Sequence, residues 1–146
     1  MAAIARDVAI CEVWVKGRNG SGQTIRTRGS DGRINTLPFE INDDAFVSYA
    51  GYAWEERHGD IVYAASDFAY AQQAGVPEEL GNARKLVQKH EIFIRHIGAA
   101  MIELRDSRGW IRREKLKDLC FWTQCRYNDS IRRQKDFNVP SSNYST

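Results

Sequence analysis

Phosphate binding, metal binding and acid–base catalysis each need particular residue types at particular spacings, and this chain holds a fragment of each. Gly17, Gly22 and Thr24 fit the phosphate-loop pattern G-x-x-x-x-G-K-[ST], but Gln23 stands where the lysine belongs. That lysine is the charge that reaches the terminal phosphates, and a helix N-terminus must follow to aim its amides at them. Here Ile25-Arg26-Thr27-Arg28 follows and then Gly29, a strand-like run, so the cluster is expected to be a hairpin loop. His90, His96, Cys120 and Cys125 are the candidate metal ligands. The two histidines are six apart, which puts them about 120° apart around a helix and off any shared ligand face. Neither C-x₂-C nor H-x₃₋₅-H spacing occurs, so no metal and no cofactor are expected. Glu55-Glu56 and Glu78-Glu79 are adjacent pairs, about 100° apart on a helix, and read as solvated faces rather than facing acid and base. No Cys/His or Ser/His signature of a nucleophile is present, and no catalytic residue is assigned.

The densest set of chemically useful side chains runs from Gly109 to Lys135. It combines Arg112, Arg113, Gln124, Arg126, Asn128, Arg132, Arg133 and Lys135 with the apolar residues Leu116, Cys120, Trp122, Tyr127 and Ile131. Arginine, lysine, asparagine and glutamine are the types that neutralise phosphates or read base edges. The segment resembles the helix-turn-helix of winged-helix proteins. In that resemblance Leu116 and Cys120 form the inner face of the first motif helix, Trp122 is the buried turn residue and Thr123 caps the recognition helix. Tyr127 and Ile131 anchor that helix, and the polar set faces out. The resemblance implies nucleic-acid binding, with Arg126, Arg132 and Arg133 on one basic face. Lys16, Arg18, Arg26 and Arg28 of the N-terminal segment are expected as a second basic contact.

These side chains need a frame, and the patterning indicates an α+β chain, mainly α. Val8, Ile10, Val13 and Val15 with Trp14 make a β-prone run whose alternation slips near Cys11 and Glu12. Gln23 to Arg28 and Arg33 to Ile41 are expected as further strands, giving an antiparallel β-meander over about residues 7–41 with Pro38 at its edge. From Asn42 the period changes to about 3.6. Asp43 and Asp44 start a helix carrying Phe46, Tyr49, Ala50, Ala53 and Trp54 on one face and ending near His58-Gly59. A second helix follows Asp60 and stops at Gly75, before Pro77. The longest is expected over 82–106, with Gly98 marking close helix approach. Two short helices, 113–120 and 124–135, make the helix-turn-helix pair of a five-helix bundle. Phe93, Ile97, Met101, Leu116, Trp122, Tyr127 and Ile131 should share one core cluster.

A chain of 146 residues, 42% hydrophobic and 27% charged, fits a single domain: meander 1–41, helical core 42–106, helix-turn-helix-like pair 107–136 and polar tail 137–146. No apolar run approaches a bilayer span, and the N-terminus lacks the order of a signal peptide. Three cysteines without such a signal read as reduced thiols, so a cytoplasmic location is expected. Net charge is +2, but unevenly spread: +3 over residues 1–36, −6 over 37–104 and +5 over 105–146. Three functions follow from these features. The first is a small nucleic-acid-binding regulator or accessory protein. The second is a non-enzymatic assembly subunit whose acidic middle meets the basic segment of a protein partner or of another copy. The third is a small-molecule binder or enzyme using the aromatic segment from Phe46 to Tyr70.

Overall fold

The computed structural model describes residues 1–8, 10–16, 21–26 and 41–137. It holds α1 (Ala2–Ala5), β1 (Ile10–Lys16), β2 (Ser21–Arg26), α2 (Ile41–His58), α3 (Ala65–Gln72), α4 (Glu78–Lys89), α5 (Glu91–Leu104) and α6 (Arg113–Phe137). The chain is therefore mostly helical, which overturns the expected α+β fold with its N-terminal meander. Among the described residues, extended structure comes down to one antiparallel hairpin, β1 with β2, paired from Ile10↔Arg26 to Lys16↔Ser21. Residues 2–5 are helix, and Ile41 opens α2 rather than closing a third strand. The rest of that expected strand, with Pro38, lies outside the described residues, as does the tail from residue 138. The slip in alternation at Cys11 and Glu12 coincides with a β-bulge between Ile10 and Glu12.

Two buried clusters organise the helices. In the first, Ala2 of α1, Ala45, Phe46, Tyr49 and Ala53 of α2, Ala71 of α3, and Ala83 and Val87 of α4 pack together. Alanine at so many contacts lets backbones approach closely. A methyl built on Gly51 would sit 3.8 Å from Ala64 Cβ. Asp43 and Asp44 in the first turn of α2 and Arg57 and His58 in its last turn oppose the helix dipole with the favourable signs. The Glu55 carboxylate then starts α3 from a distance. It accepts the Val62 amide at 2.7 Å, the Tyr63 amide at 2.8 Å and the Ala64 amide at 3.2 Å, which fixes the chain that leads into the helix as far as its N-cap. Gly75, at φ +69°, ends the turn after α3, and Pro77 precedes α4.

The second cluster holds Val13 and Val15 of β1, Ile111, and Leu116 and Leu119 of α6, with Met101 and Leu104 of α5 packed against it. The segment before α6 docks on β1 opposite β2: the Val15 amide donates to Gly109 O at 2.7 Å and the Ile111 amide to Val13 O at 3.2 Å. Trp14 stacks on Trp110 with ring centres 6.0 Å apart and donates from Nε1 to Arg108 O at 2.9 Å.

Two expected helix boundaries are wrong. The helix expected over 82–106 is broken at His90, which closes α4 and opens α5 at φ −114° and ψ 23°. The break lets α4 lie on α2 with Val87 in the first cluster while α5 carries Met101 and Leu104 to the second. Conversely, the helix-turn-helix pair is one 25-residue helix, α6, now the longest. No glycine or proline interrupts residues 113–137, so nothing breaks the i→i−4 ladder. Leu116, Leu119 and Thr123 form its buried stripe, and Trp122 is 37% exposed instead of filling a turn. The single cluster expected from Phe93 to Ile131 is thereby divided: Met101 and Leu116 meet in the second cluster, while Trp122 packs on Phe93. Gly98 does not mark a close helix approach either, since a Cβ there would meet nothing within 4 Å.

Candidate functional site

The break at His90 and the continuity of α6 together create a groove of about 670 Å³. One wall is the end of α4 and the first turns of α5, with Gln88, Lys89, His90, Glu91, Phe93 and His96. The other is the middle of α6, with Trp122, Arg126, Ser130 and Arg133. Trp122, Arg126 and Arg133 fall on one flank of α6 because intervals of four and seven residues bring side chains back within about 40° of each other.

The groove is basic. Lys89, Arg126 and Arg133 are exposed along it, and among the described residues Lys89 and Arg133 take no ion pair. Its one carboxylate, Glu91, is engaged elsewhere. It accepts from His58 Nε2 at 2.5 Å and from the Arg57 guanidinium at 3.3 Å, both on α2, and lies 3.5 Å from the Arg95 guanidinium. Those hydrogen bonds, His58 first and Arg57 second, hold its carboxyl below the usual carboxylate range. His58 also donates from Nδ1 to Trp54 O at 2.7 Å. A carbonyl and a carboxylate both only accept, so both ring nitrogens of His58 face acceptors.

The groove is also aromatic. Phe93 and Trp122 lie 5.5 Å apart at 53°, and the Arg126 guanidinium sits 5.8 Å from the centre of the Trp122 ring. His90 lies behind them, 7% exposed, with its ring 5.8 Å from that of Tyr127. Burial, and then the charge of Lys89, push its pKa down, so His90 contributes a neutral ring.

The structure separates the residues expected to form one basic face. Arg126 and Arg133 line the groove. Gln124, Asn128 and Lys135 lie on the opposite flank of α6, where the Gln124 amide donates to Asn128 Oδ1 at 3.0 Å. Arg132 is about 120° around the axis from Arg126, and its guanidinium lies 3.7 Å from Asp129 Oδ1. Arg112 and Arg113 are exposed at the start of the helix, at least 13 residues and so about 20 Å from Arg126. Lys16 and Arg26 sit at opposite ends of the hairpin, and Arg18 and Arg28 lie outside the described residues.

Lys89, Phe93, His96 and the exposed Trp122 were not among the expected site residues. The spacing 122, 126, 133 carried a signal for the α6 half once the helix is read as continuous. Nothing local marks Lys89 or His96 as their neighbours. Elsewhere, Tyr49, Tyr52 and Phe68 of the aromatic middle segment are packed on one another, with ring centres 5.7 Å and 4.2 Å from that of Phe68. Among the described residues no three His, Cys, Asp or Glu side chains converge as metal ligands, and no helix is long and apolar enough to cross a membrane.

No family model, no curated protein and no solved structure matches the chain.

Proposed function

We propose that this protein is a small nucleic-acid-binding regulator or accessory protein that contacts its polyanion along the groove flank of α6. The observation that carries the reading is the charge balance of the groove: three exposed cations face one carboxylate whose oxygens already serve α2. A polyanion that lies on Lys89, Arg126 and Arg133 meets, among the described lining residues, one carboxylate that is already paired with α2, and association gains from counterion release. The recognition element is then the side of one straight helix and not the tip of a motif pair. The cytoplasm is the compartment in this reading, in keeping with the free thiols of Cys120 and Cys125.

The test is binding of labelled nucleic acid followed by fluorescence anisotropy at several salt concentrations. Each phosphate contact contributes about 0.9 to the slope of log K against log salt on a duplex and about 0.7 on a single strand. The double variant Arg126→Ala/Arg133→Ala should therefore flatten the slope by roughly 1.4 to 1.8. Arg132→Ala, paired with Asp129 and turned away, is the matched control and should change it little. Unchanged affinity and slope in the double variant would sink the proposal.

A second reading, assembly with a protein partner or a second copy, draws on Ile92 and Phe121, which are 74% and 73% exposed. Light scattering on the purified chain tests the self-association form: a monomer at all concentrations removes it.

A further inference from the structure

Building on the nucleic-acid reading, we infer that the groove takes a single strand, with an unpaired base laid on the Trp122 ring and the adjoining phosphates on Arg126 and Arg133. A surface that binds only phosphates needs cations and nothing more. Within the groove the cations come with an exposed indole, Trp122. Trp122 is 37% exposed, braced by Phe93 at 5.5 Å, and the Arg126 guanidinium lies over its ring at 5.8 Å from the centre. A guanidinium over an indole ring forms a stacking surface with it for a further planar group, because arginine stacks on π faces as well as binding phosphate. Braced aromatic platforms beside a basic track are the means by which unpaired bases are held irrespective of sequence.

Two geometric points favour a strand over a duplex or a lone nucleotide. The bases of a duplex are stacked inside and cannot reach a ring set in a groove wall, whereas a strand can turn a base inward. Arg126 and Arg133 are seven residues apart, about 10.5 Å along the helix axis, a span that one phosphate group does not bridge. The groove volume of about 670 Å³ lies within the usual range of ligand clefts and leaves room for a base beside the backbone. Lys89 on the facing wall then closes the track from the other side, and Ser130, between Arg126 and Arg133, offers a hydroxyl to the sugar or base.

The experiment compares binding of the whole chain to five probes at each of several salt concentrations: an oligothymidine, an oligouridine of equal length, the same phosphate–deoxyribose strand without bases, a duplex, and a mononucleotide. The expected result is that at least one base-bearing strand binds roughly 5- to 150-fold more tightly than the abasic strand, the range of one stacked base. Preference between the thymidine and uridine strands identifies the polymer, and binding of either supports the inference. Trp122→Ala should remove most of the difference between base-bearing and abasic strands while leaving the salt slope intact, and Trp122→Phe should restore part of it. Because the abasic comparison uses the unaltered protein, a folding defect in a variant does not blur the outcome. Equal affinity for strand, abasic strand and duplex, with Arg126→Ala/Arg133→Ala still weakening all three, would overturn the inference and leave the polyanion reading standing. A mononucleotide binding as tightly as the strand would overturn it as well. Binding of none of the probes would remove both.

Discussion

Gly109 is the residue whose replacement tests the docking of α6 on the hairpin most directly. Its φ is +90°, a backbone conformation that costs an L side chain roughly 1–3 kcal/mol. A methyl there would also stand 2.6 Å from Val15 O and 2.9 Å from Trp14 Nε1. Neither atom is a loose chain end: one is strand backbone, and the other donates to Arg108 O at 2.9 Å. Relief requires the 106–111 turn to lift from β1, which strains the Val15–Gly109 and Ile111–Val13 bonds, each worth about 1 kcal/mol. The total for Gly109→Ala is about 2–5 kcal/mol, a large share of the roughly 5–15 kcal/mol that holds a domain folded. At this chain length it lowers the melting temperature by on the order of 10 °C. Urea unfolding followed by tryptophan fluorescence measures it, since Trp14 and Trp110 stack at that contact. Gly98→Ala is the internal comparison: the position is helical with nothing within 4 Å of a new methyl, so it should stabilise by about 0.5–1 kcal/mol. If Gly109→Ala unfolds within about 0.5 kcal/mol of the parent chain, the docking of this turn on β1 has been misread.

Arg6→Ala should destabilise by about 2–4 kcal/mol in the same assay, because the guanidinium is 2.8 Å from Asp43 Oδ1 and 2.5 Å from Glu79 Oε2, and lies 4.0 Å from the centre of the Phe46 ring. Glu79, with its side chain 6% exposed, would be left as a buried charge without its partner, and Arg6→Lys should recover only part of the loss. Stability should also fall with acid in two windows, read as the urea midpoint against pH. Burial lowers the His90 pKa, so the unfolded chain takes the proton more readily, and the contribution present above about pH 6.5 is lost as pH falls below that value. Glu91, lowered by His58 and then Arg57, and Asp106, lowered first by the Trp110 amide, contribute stability above about pH 4, which is lost as pH falls through their depressed values. His58→Ala should weaken anion binding in the groove at low salt, read in the same anisotropy titration, by leaving the Glu91 charge with Arg57 and Arg95 alone.

Local signals carried much of the helical frame. Asp43 and Asp44 at the start of α2, its stripe through Phe46, Tyr49 and Ala53, and the stop at Gly75 before Pro77 follow from backbone preference and period, which neighbours in sequence decide. The continuity of α6 was legible too, in the absence of any glycine or proline over residues 113–137, but the likeness to a helix-turn-helix set a turn where no helix breaker exists. The extent of the β structure was not legible. A β-prone run forms a ladder only if a partner edge is offered, and β1 finds β2 on one side and the turn at Gly109 on the other.

The candidate site divides along the same line. Sequence alone determined that the C-terminal third is basic and that Arg126 and Arg133, one heptad apart, share a helix flank, because charge and helical period belong to the residues themselves. Only the tertiary structure decided that α4 and α5 part at His90, that Lys89 and His96 face that flank, and that Glu91 spends its charge on α2. Those outcomes depend on which surfaces bury most when helices dock, a sum over contacts between residues far apart in the chain that no window along it contains.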